Sequence, residues 1–332
     1  MNPHKFQYSS QLLRVISRRS QHGFTLVELI MVIVIMGVIG GMVSVFMKSP
    51  IDAYSASARR AALTDVADTV VRRMARDIRK ALPNSIRPPA SGSPSSCIEF
   101  ISTKTGGRYR AEVDSTVVGG TPTDSVLAFD AADASFNKLG GNPASPADQH
   151  INAGDLVVIY NLGITGSDAY NLDNVARVSV DTGDIASRAI GTATYGVETR
   201  ITTEAHRYPL ESGGNRFHVI PANEQVVSYV CTGIGTTAGE GTGTLFRYAR
   251  PALIAADGTR TSYAAPLTCS ALQTVMNADM AHAAVLAQNV SACSFVYNPI
   301  SQRNAMVQMS LSLTRSGEPV NLYHEVHVDN TP

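Results

Sequence analysis

The sequence predicts an α+β fold, in which a long N-terminal helix, membrane-spanning in its first half, precedes a large and mostly antiparallel β head. Three observations predict this fold: a long apolar run over residues 24–47, a helical spacing of apolar residues that continues to Leu82, and short alternating segments between Gly-rich turns from Cys97 onward. With 332 residues, 44% of them hydrophobic, the chain can bury a sizeable core, so disorder of the whole chain is excluded. The 27 basic and 27 acidic residues balance, so the total charge does not suggest nucleic acid as a partner.

The apolar run, Phe24 to Met47, is the first element. As a helix it would span about 36 Å, against about 30 Å for the hydrocarbon core of a bilayer. Four basic residues and no acidic residue precede it, which by the positive-inside rule places residues 1–23 in the cytoplasm and exports everything after Lys48. The run is longer than the core of a cleaved signal peptide, and the only small-residue run, Ala53 to Ala58, follows charged residues.

Glu28 is the one acidic residue in the span. A carboxylate there is costly and usually marks a function that involves a partner, although snorkelling to the cytoplasmic interface is the plainer alternative. Gly37 and Gly41 form a G-x-x-x-G pair, with Gly40 beside it. These glycines permit close helix packing, and they also lower the stability of the helix. The sequence leaves open whether they serve packing or local melting.

The residues around Glu28 form a specific motif: Gly23 is followed by Phe24-Thr25-Leu26-Val27-Glu28 and a long apolar helix. This arrangement resembles the leader of type IV pilins and type II secretion pseudopilins. The resemblance implies that residues 1–23 are a prepilin leader, cleaved after Gly23 by a prepilin peptidase that also methylates the new N-terminus, Phe24. It also implies that Glu28 meets the terminal amine of a neighbouring subunit and so acts in assembly.

The helix is expected to continue from residue 24 to residue 82, because apolar residues recur at three- and four-residue steps after Pro50 and stop at Pro83. The predicted stripe comprises Ile51, Tyr54, Ala58, Ala62, Val66, Val70, Met74, Ile78 and Leu82. The opposite face is rich in Arg, which indicates either a solvated face or a contact with lipid headgroups or other subunits. Residues 83–96 are rich in Pro and Ser and predict a linker, and residues 97–332 are expected to form the globular head.

The head is predicted to be mostly β. The expected strands are residues 97–102, 125–129, 155–160, 216–220, 225–231, 245–248, 293–297, 306–313 and 320–328. The last two form the clearest hairpin, in which Leu311 and Leu313 share one face of the first strand and Val326 and Val328 share one face of the second. Residues 119–152 and 191–215 are expected to be long loops.

A second resemblance rests on Ala284 to Ala287, Cys293 to Tyr297 and Leu322 to Asn330, with support from Ala58 to Ile86. These segments resemble the minor pilins of the mannose-sensitive haemagglutinin (MSHA) pilus, which are related to the J-type minor pseudopilins of type II secretion. The implied partners are the prepilin peptidase/methyltransferase, the major pilin and other minor pilins, and the inner-membrane assembly platform. The implied location is a single pass of the inner membrane with a periplasmic head, and the pilus or cell surface after assembly.

Four cysteines, Cys97, Cys231, Cys269 and Cys293, lie in the exported head, where disulfides are expected. Three pairings are open. Cys231 and Cys269 flank a Gly-rich segment with one short strand, which favours their pairing and leaves Cys97 to pair with Cys293. Buried free thiols are the alternative.

Catalytic, cofactor and metal signals are weak. His324 and His327 do not form an H-E-x-x-H motif, and on a strand their side chains point to opposite faces. Asp124, Asp130 and Asp133, or Asp181 and Asp184, could join a calcium site but are more typical of polar loops. We therefore expect no catalytic residue, cofactor or metal.

The sequence predicts a minor pilin that acts in the initiation of assembly, at the filament tip, or both. A minor pseudopilin of a type II secretion system and a pilus-borne adhesin are the alternatives. A membrane-anchored periplasmic enzyme is less favoured by the same features.

Overall fold

The computed structural model describes residues 23–89, 93–112, 126–144, 146–179, 183–185, 188–190, 193–195, 198–263, 265–299 and 304–332, with the backbone alone described for the three short pieces between 183 and 195. The chain divides into two compact units, Met1–Ala56 and Ser57–Pro332. The predictions for residues 1–22, and those for Asp124 and Asp181, concern positions outside the described residues.

The first helix, α1 (Leu26–Arg79), is continuous over 54 residues and contains Pro50. The expected continuation past Pro50 is confirmed. Arg76 and Arg79 occupy its last turn, where positive charge stabilises the partial negative charge of the helix end. In the first unit, no described residue is buried.

The second unit is built around a six-stranded sheet. Its strands, in spatial order, are β1 (Cys97–Ile101), β11 (Val226–Thr232), β14 (Gly243–Arg250), β15 (Ala283–Pro299), β16 (Asn304–Arg315) and β17 (Glu318–Asp329). Every neighbouring pair is antiparallel. The α+β fold, with a long N-terminal helix and a mostly antiparallel β head, is therefore confirmed.

Within this unit, the last turns of α1 pack on one face of the six-stranded sheet. Met74, Ala75 and Ile78 are buried in the same apolar cluster as Phe295 of β15 and Met309 of β16. This cluster is the main core of the head.

The helix buries a different face from the one expected in its middle part. Val70, Met74 and Ile78 are buried as predicted, but Val66 is 43% exposed, and Leu63 is buried in its place. Ala58 and Ala62 are exposed as well, and Ala67 is buried. Four-residue steps advance about 40° beyond a full turn of an α-helix, so a stripe with that strict spacing rotates away from the sheet within a few steps.

The hairpin of β16 and β17 confirms the clearest prediction. Leu311, Leu313, Val326 and Val328 all lie in the main core cluster. The predicted strands leave residues 314–319 for the turn, but Ser316 and Gly317 alone connect the two strands, because Glu318 and Pro319 belong to β17. Both turn residues have positive φ. Positive φ at both central residues is the geometry that matches the twist of a hairpin, and Pro319 is tolerated on a terminal strand.

A second set of strands covers the middle of the chain. The strands are β2 (Thr105–Arg108), β3 (Asp133–Leu139), β4 (Leu156–Ile159), β5 (Val175–Arg177), β6 (Gly183–Ile185), β7 (Arg188–Ile190), β8 (Ala193–Tyr195), β9 (Glu198–His206), β10 (Arg216–Ile220), β12 (Thr236–Thr237) and β13 (Glu240–Gly241). They form a four-stranded sheet in the order β2-β10-β4-β5, a three-stranded sheet in the order β3-β9-β6, and two ribbons, β7-β8 and β12-β13.

The two predicted long loops are wrong in part, because β3 and β9 lie within them and pair with each other. Their buried positions include polar residues such as Asn137, Thr199 and Thr203, so apolar alternation could not show them. The predicted strand at residues 125–129 is not found at its described positions, 126–129. A second helix, α2 (Cys269–Ala278), was not expected; it begins after Thr268, whose hydroxyl accepts a hydrogen bond from the amide of Ala271.

The segment between α1 and β1 contacts the head at several points. Arg87 and Glu99 exchange backbone hydrogen bonds, and Ser95 and Phe295 do the same. The backbone of Leu82 donates to Ile101. This segment thus covers part of the free edge of β1.

Candidate assembly site and charged cleft

The predicted cleavage site lies just outside the start of α1. Residues 23–25 are not helical, and Phe24 is 85% exposed. A Cβ built on Gly23 would meet no atom within 4 Å. The peptide bond between Gly23 and Phe24 is therefore in open, non-helical backbone, which is the form that a peptidase needs.

Thr25 and Glu28 form a capping box at the start of α1. The amide of Glu28 donates to the Thr25 hydroxyl (3.2 Å), and the Glu28 carboxylate accepts from the amide of Thr25 (3.3 Å). This reciprocal pair satisfies two amides that have no partner within the helix. Within the described part of the chain, Glu28 has no cationic partner.

The first part of α1 has the composition of a membrane span. Among the described residues, α1 is the one helix long and apolar enough to cross a membrane, and none of its most apolar stretch is buried. Its side chains, from Leu26 to Met47, are largely exposed. A Cβ at Gly37, Gly40 or Gly41 would meet nothing within 4 Å, and the helix is unbroken there, so the roles of these glycines stay predictions.

Polar contacts also hold the second part of α1 to the head. Asp77 accepts hydrogen bonds from the Tyr229 hydroxyl (2.7 Å) and from Nε of Arg247 (2.9 Å), and Arg247 also forms an ion pair with Glu224. Burial and the adjacent Asp77 raise the pKa of Tyr229. Burial alone would lower the pKa of Arg247, but its hydrogen bonds to Glu224 and Asp77 outweigh burial and raise it. Arg247 therefore stays protonated, and its contacts with Asp77 fix the helix to β14, as the Tyr229 hydroxyl fixes it to β11.

The four cysteines form two disulfides, but the favoured pairing was wrong. Cys97 pairs with Cys269, and Cys231 pairs with Cys293. Cys97 lies opposite Val230 in the ladder between β1 and β11, so Cys97 and Val230 share one face and Cys231 points to the other. Cys97 therefore faces α2, which carries Cys269, whereas Cys231 and Cys293 lie in the main core.

The residues considered for metal binding or catalysis do not assemble into a site among the described residues. They contain no group of three His, Cys, Asp or Glu side chains arranged to hold a metal ion. The Asp133 carboxylate accepts from the amides of Ala128 and Ser135, and so shapes its own loop. On β17, His324 and His327 point to opposite faces, as expected.

A basic cleft is the feature that the sequence did not reveal. It encloses about 470 Å³ between the end of α1 and the strands β2 and β10. Among the described residues, its lining contains five Lys or Arg side chains and no acidic side chain; the basic residues are Arg79, Lys80, Lys104, Arg108 and Arg216. No sequence motif could find it, because these residues come from three distant parts of the chain, and the residues after Lys80 carry a net charge of −7.

An apolar groove lies beside the second part of α1. It encloses about 520 Å³ and is lined on the helix by Ala58, Ala62 and Val66 and on the sheet by Val285, which is 51% exposed. The exposed part of the predicted stripe thus borders this groove. Nε of Arg59, at the same place, is buried without a hydrogen-bond partner among the described residues.

Comparison with known proteins identifies one family model. Residues 18–44 match the prokaryotic N-terminal methylation motif. No curated protein and no solved structure matches the chain. The matched residues include Gly23, Phe24 and Glu28, together with most of the apolar run. The chain therefore carries a type IV pilin-like prepilin motif followed by a long apolar helix, which supports a pilin or pseudopilin subunit that is processed by prepilin peptidase and anchored in the inner membrane.

Proposed function

We propose that the chain is a minor pilin of an MSHA-type type IV pilus, similar to the minor pilin MshO, and that it acts in the initiation of assembly or in the filament-tip complex. The observation that supports this proposal is the prepilin motif at the exposed start of α1; residues 18–44, which match this motif, include Gly23, Phe24 and Glu28. The resemblance of the last strands to MSHA minor pilins favours this pilus among the systems whose subunits carry a prepilin motif.

In this proposal residues 1–23 are a leader removed after Gly23, and Phe24 becomes the methylated N-terminus. Residues 24–82 form the filament helix, 83–96 connect it to the head, and 97–332 form a head that is periplasmic before assembly and on the pilus afterwards. Glu28 neutralises the amine of a neighbouring subunit. The apolar groove beside Val66 and Val285 offers exposed apolar surface for contacts with other pilins.

The proposal is tested by the mature N-terminus and by the partners that purify with it. We expect the N-terminal peptide to begin at methylated Phe24, and mild detergent to recover the protein with the major pilin, other minor pilins and the assembly platform. A chain that retains residues 1–23, or that purifies without any filament subunit, contradicts the proposal.

A minor pseudopilin of type II secretion is the second candidate, because the same motif serves both systems. Deletion of the gene separates the two candidates: a minor pilin is required for surface filaments, whereas a pseudopilin is required for the release of secreted enzymes. Normal filaments together with blocked secretion would favour the pseudopilin.

A further inference from the structure

The basic cleft contains an unfavourable arrangement of charge. Arg108 on β2 and Arg216 on β10 are direct partners in the antiparallel ladder. Like charges placed directly opposite each other on neighbouring strands destabilise a sheet. Neither side chain has an acidic partner among the described residues, and both are exposed.

Gly214 lies next to both guanidinium groups. Its carbonyl accepts a hydrogen bond from Nε of Arg108 (3.0 Å), and a Cβ built on it would lie 3.4 Å from Nε of Arg216. The hydrogen bond orients Arg108, and its two terminal nitrogens have no hydrogen-bond partner among the residues that the structure describes. Both guanidinium groups therefore lie beside the same residue.

Arg79 and Lys80 add two more charges from the end of α1. The Lys80 carbonyl accepts hydrogen bonds from the amide (2.8 Å) and hydroxyl (2.7 Å) of Thr103, which fixes this end of the helix beside β2. Stabilisation of the helix end explains Arg79, but it does not explain the arginines on the facing strands.

The remaining groups of the cleft do not neutralise these four cations. Lys104 is already paired with Asp155 (2.5 Å). His218 lies on the same face of β10 as Arg216, two residues along, and its Nε2 is buried without a hydrogen-bond partner among the described residues. Gly106, its partner across the ladder, has no side chain to fill the floor of the cleft.

We infer that this cleft binds a ligand that carries two phosphate groups. Four cations without an acidic partner among the described residues exceed what one anion balances. Two phosphate monoesters, each with a charge of about −1.5 to −2 at neutral pH, balance them closely. Two carboxylates would leave half of this positive charge unbalanced. Three of the four cations are arginines, whose planar fork donates two hydrogen bonds to one phosphate. Phe217 lines the cleft but is buried, so no described residue of the lining offers an exposed Phe or Tyr face on which a nucleic-acid base could stack, which disfavours single-stranded nucleic acid.

The test is calorimetric titration of the full chain in an uncharged detergent at low salt. The probes are pyrophosphate for a free oligophosphate and glucose 1,6-bisphosphate for a phosphorylated saccharide, with citrate as the carboxylate control. We expect one binding site per chain for at least one phosphate probe. The probe that binds more tightly identifies the ligand as a free oligophosphate or as a phosphorylated saccharide. Binding of neither probe at millimolar concentration, or binding of citrate as tightly as the phosphates, overturns the inference.

Matched variants locate the binding. Arg108→Gln with Arg216→Gln should weaken it at least about tenfold, and Lys80→Gln, which changes an exposed side chain, should weaken it about threefold. Arg207→Gln with Arg315→Gln removes the same charge outside the cleft and should change affinity less than twofold. Circular dichroism checks that each variant is folded. Equal loss in the control pair, or undiminished binding in both Arg108→Gln with Arg216→Gln and Lys80→Gln, would overturn the assignment.

Discussion

Glu28 has one observed role and one proposed role, which a pair of substitutions can separate. Its carboxylate caps α1 through Thr25, and the proposed function adds an amine from a neighbouring subunit. Glu28→Ala removes both interactions. Thr25→Ala removes the hydroxyl of the cap, at a cost of about 1 kcal/mol, but keeps the carboxylate.

We expect Glu28→Ala to be processed and inserted normally but to enter filaments poorly, because the neighbouring amine is left unpaired in an apolar environment. Thr25→Ala should enter filaments nearly as well as the wild type. Immunoblots of sheared filaments and membranes measure both variants. Glu28→Ala in filaments at wild-type levels would refute the pairing.

Asp77 provides a prediction about stability. Asp77→Ala leaves the buried Tyr229 hydroxyl without its acceptor, whereas Arg247 keeps Glu224. The lost acceptor should reduce the free energy of unfolding by about 1–3 kcal/mol. Thermal unfolding followed by near-ultraviolet circular dichroism measures the effect.

Asp65→Ala is the matched control, because Asp65 is an exposed aspartate of the same helix. It should change stability by no more than about 0.5 kcal/mol. If both variants unfold at the same temperature, the contact between Asp77 and Tyr229 contributes nothing.

At the scale of elements, the Cys97–Cys269 bridge fixes α2 to β1. Replacing both cysteines with Ser should lower stability by about 2–5 kcal/mol, the usual effect of removing a native bridge from an exported domain. The oxidised full chain, denatured without reductant, should show no thiol that reacts with an alkylating agent. Peptide mapping should join the peptide of Cys97 to that of Cys269, and a peptide joining Cys97 to Cys293 would disprove the observed pairing.

Elements with a strong local signal could be predicted from the sequence, and elements defined by distant partners could not. The helix α1 and the β16–β17 hairpin could be predicted because their apolar residues recur with helical and strand periodicity. β3 and β9 bury polar side chains such as Asn137 and Thr199, so only their pairing marks them as strands. The disulfide pairing was missed for the same reason, since it depends on the register that places Cys97 opposite Val230.

At the scale of the whole molecule, the prepilin motif could be read directly because it is contiguous, whereas the basic cleft could not. Arg79, Arg108 and Arg216 are brought together by the ladder of β2 and β10 and by the end of α1. A balanced total charge conceals such a cluster.

Under the proposed function, the large head predicts a low copy number in the filament. A helical filament repeats one contact between subunits, and a bulky head obstructs the next subunit unless nothing lies above it. We expect the protein to be far less abundant than the major pilin in sheared filaments, with gold label on its head at the tips. A near-equal ratio, or label along the shaft, would contradict the tip placement.

In the proposed function the head is exported, and the disulfide connectivity then has a consequence for its folding. Along the chain the cysteines come in the order 97, 231, 269 and 293, and neither bridge joins neighbours in this order. An oxidase acting on thiols as they emerge would first join Cys97 to Cys231, and the native pairs are then reached only by thiol–disulfide exchange. Cells that lack a periplasmic disulfide isomerase should therefore accumulate mispaired, protease-sensitive protein. A variant with both Cys231→Ser and Cys293→Ser has one disulfide left to form and should no longer depend on the isomerase. Steady-state levels of the two proteins with and without the isomerase measure this dependence.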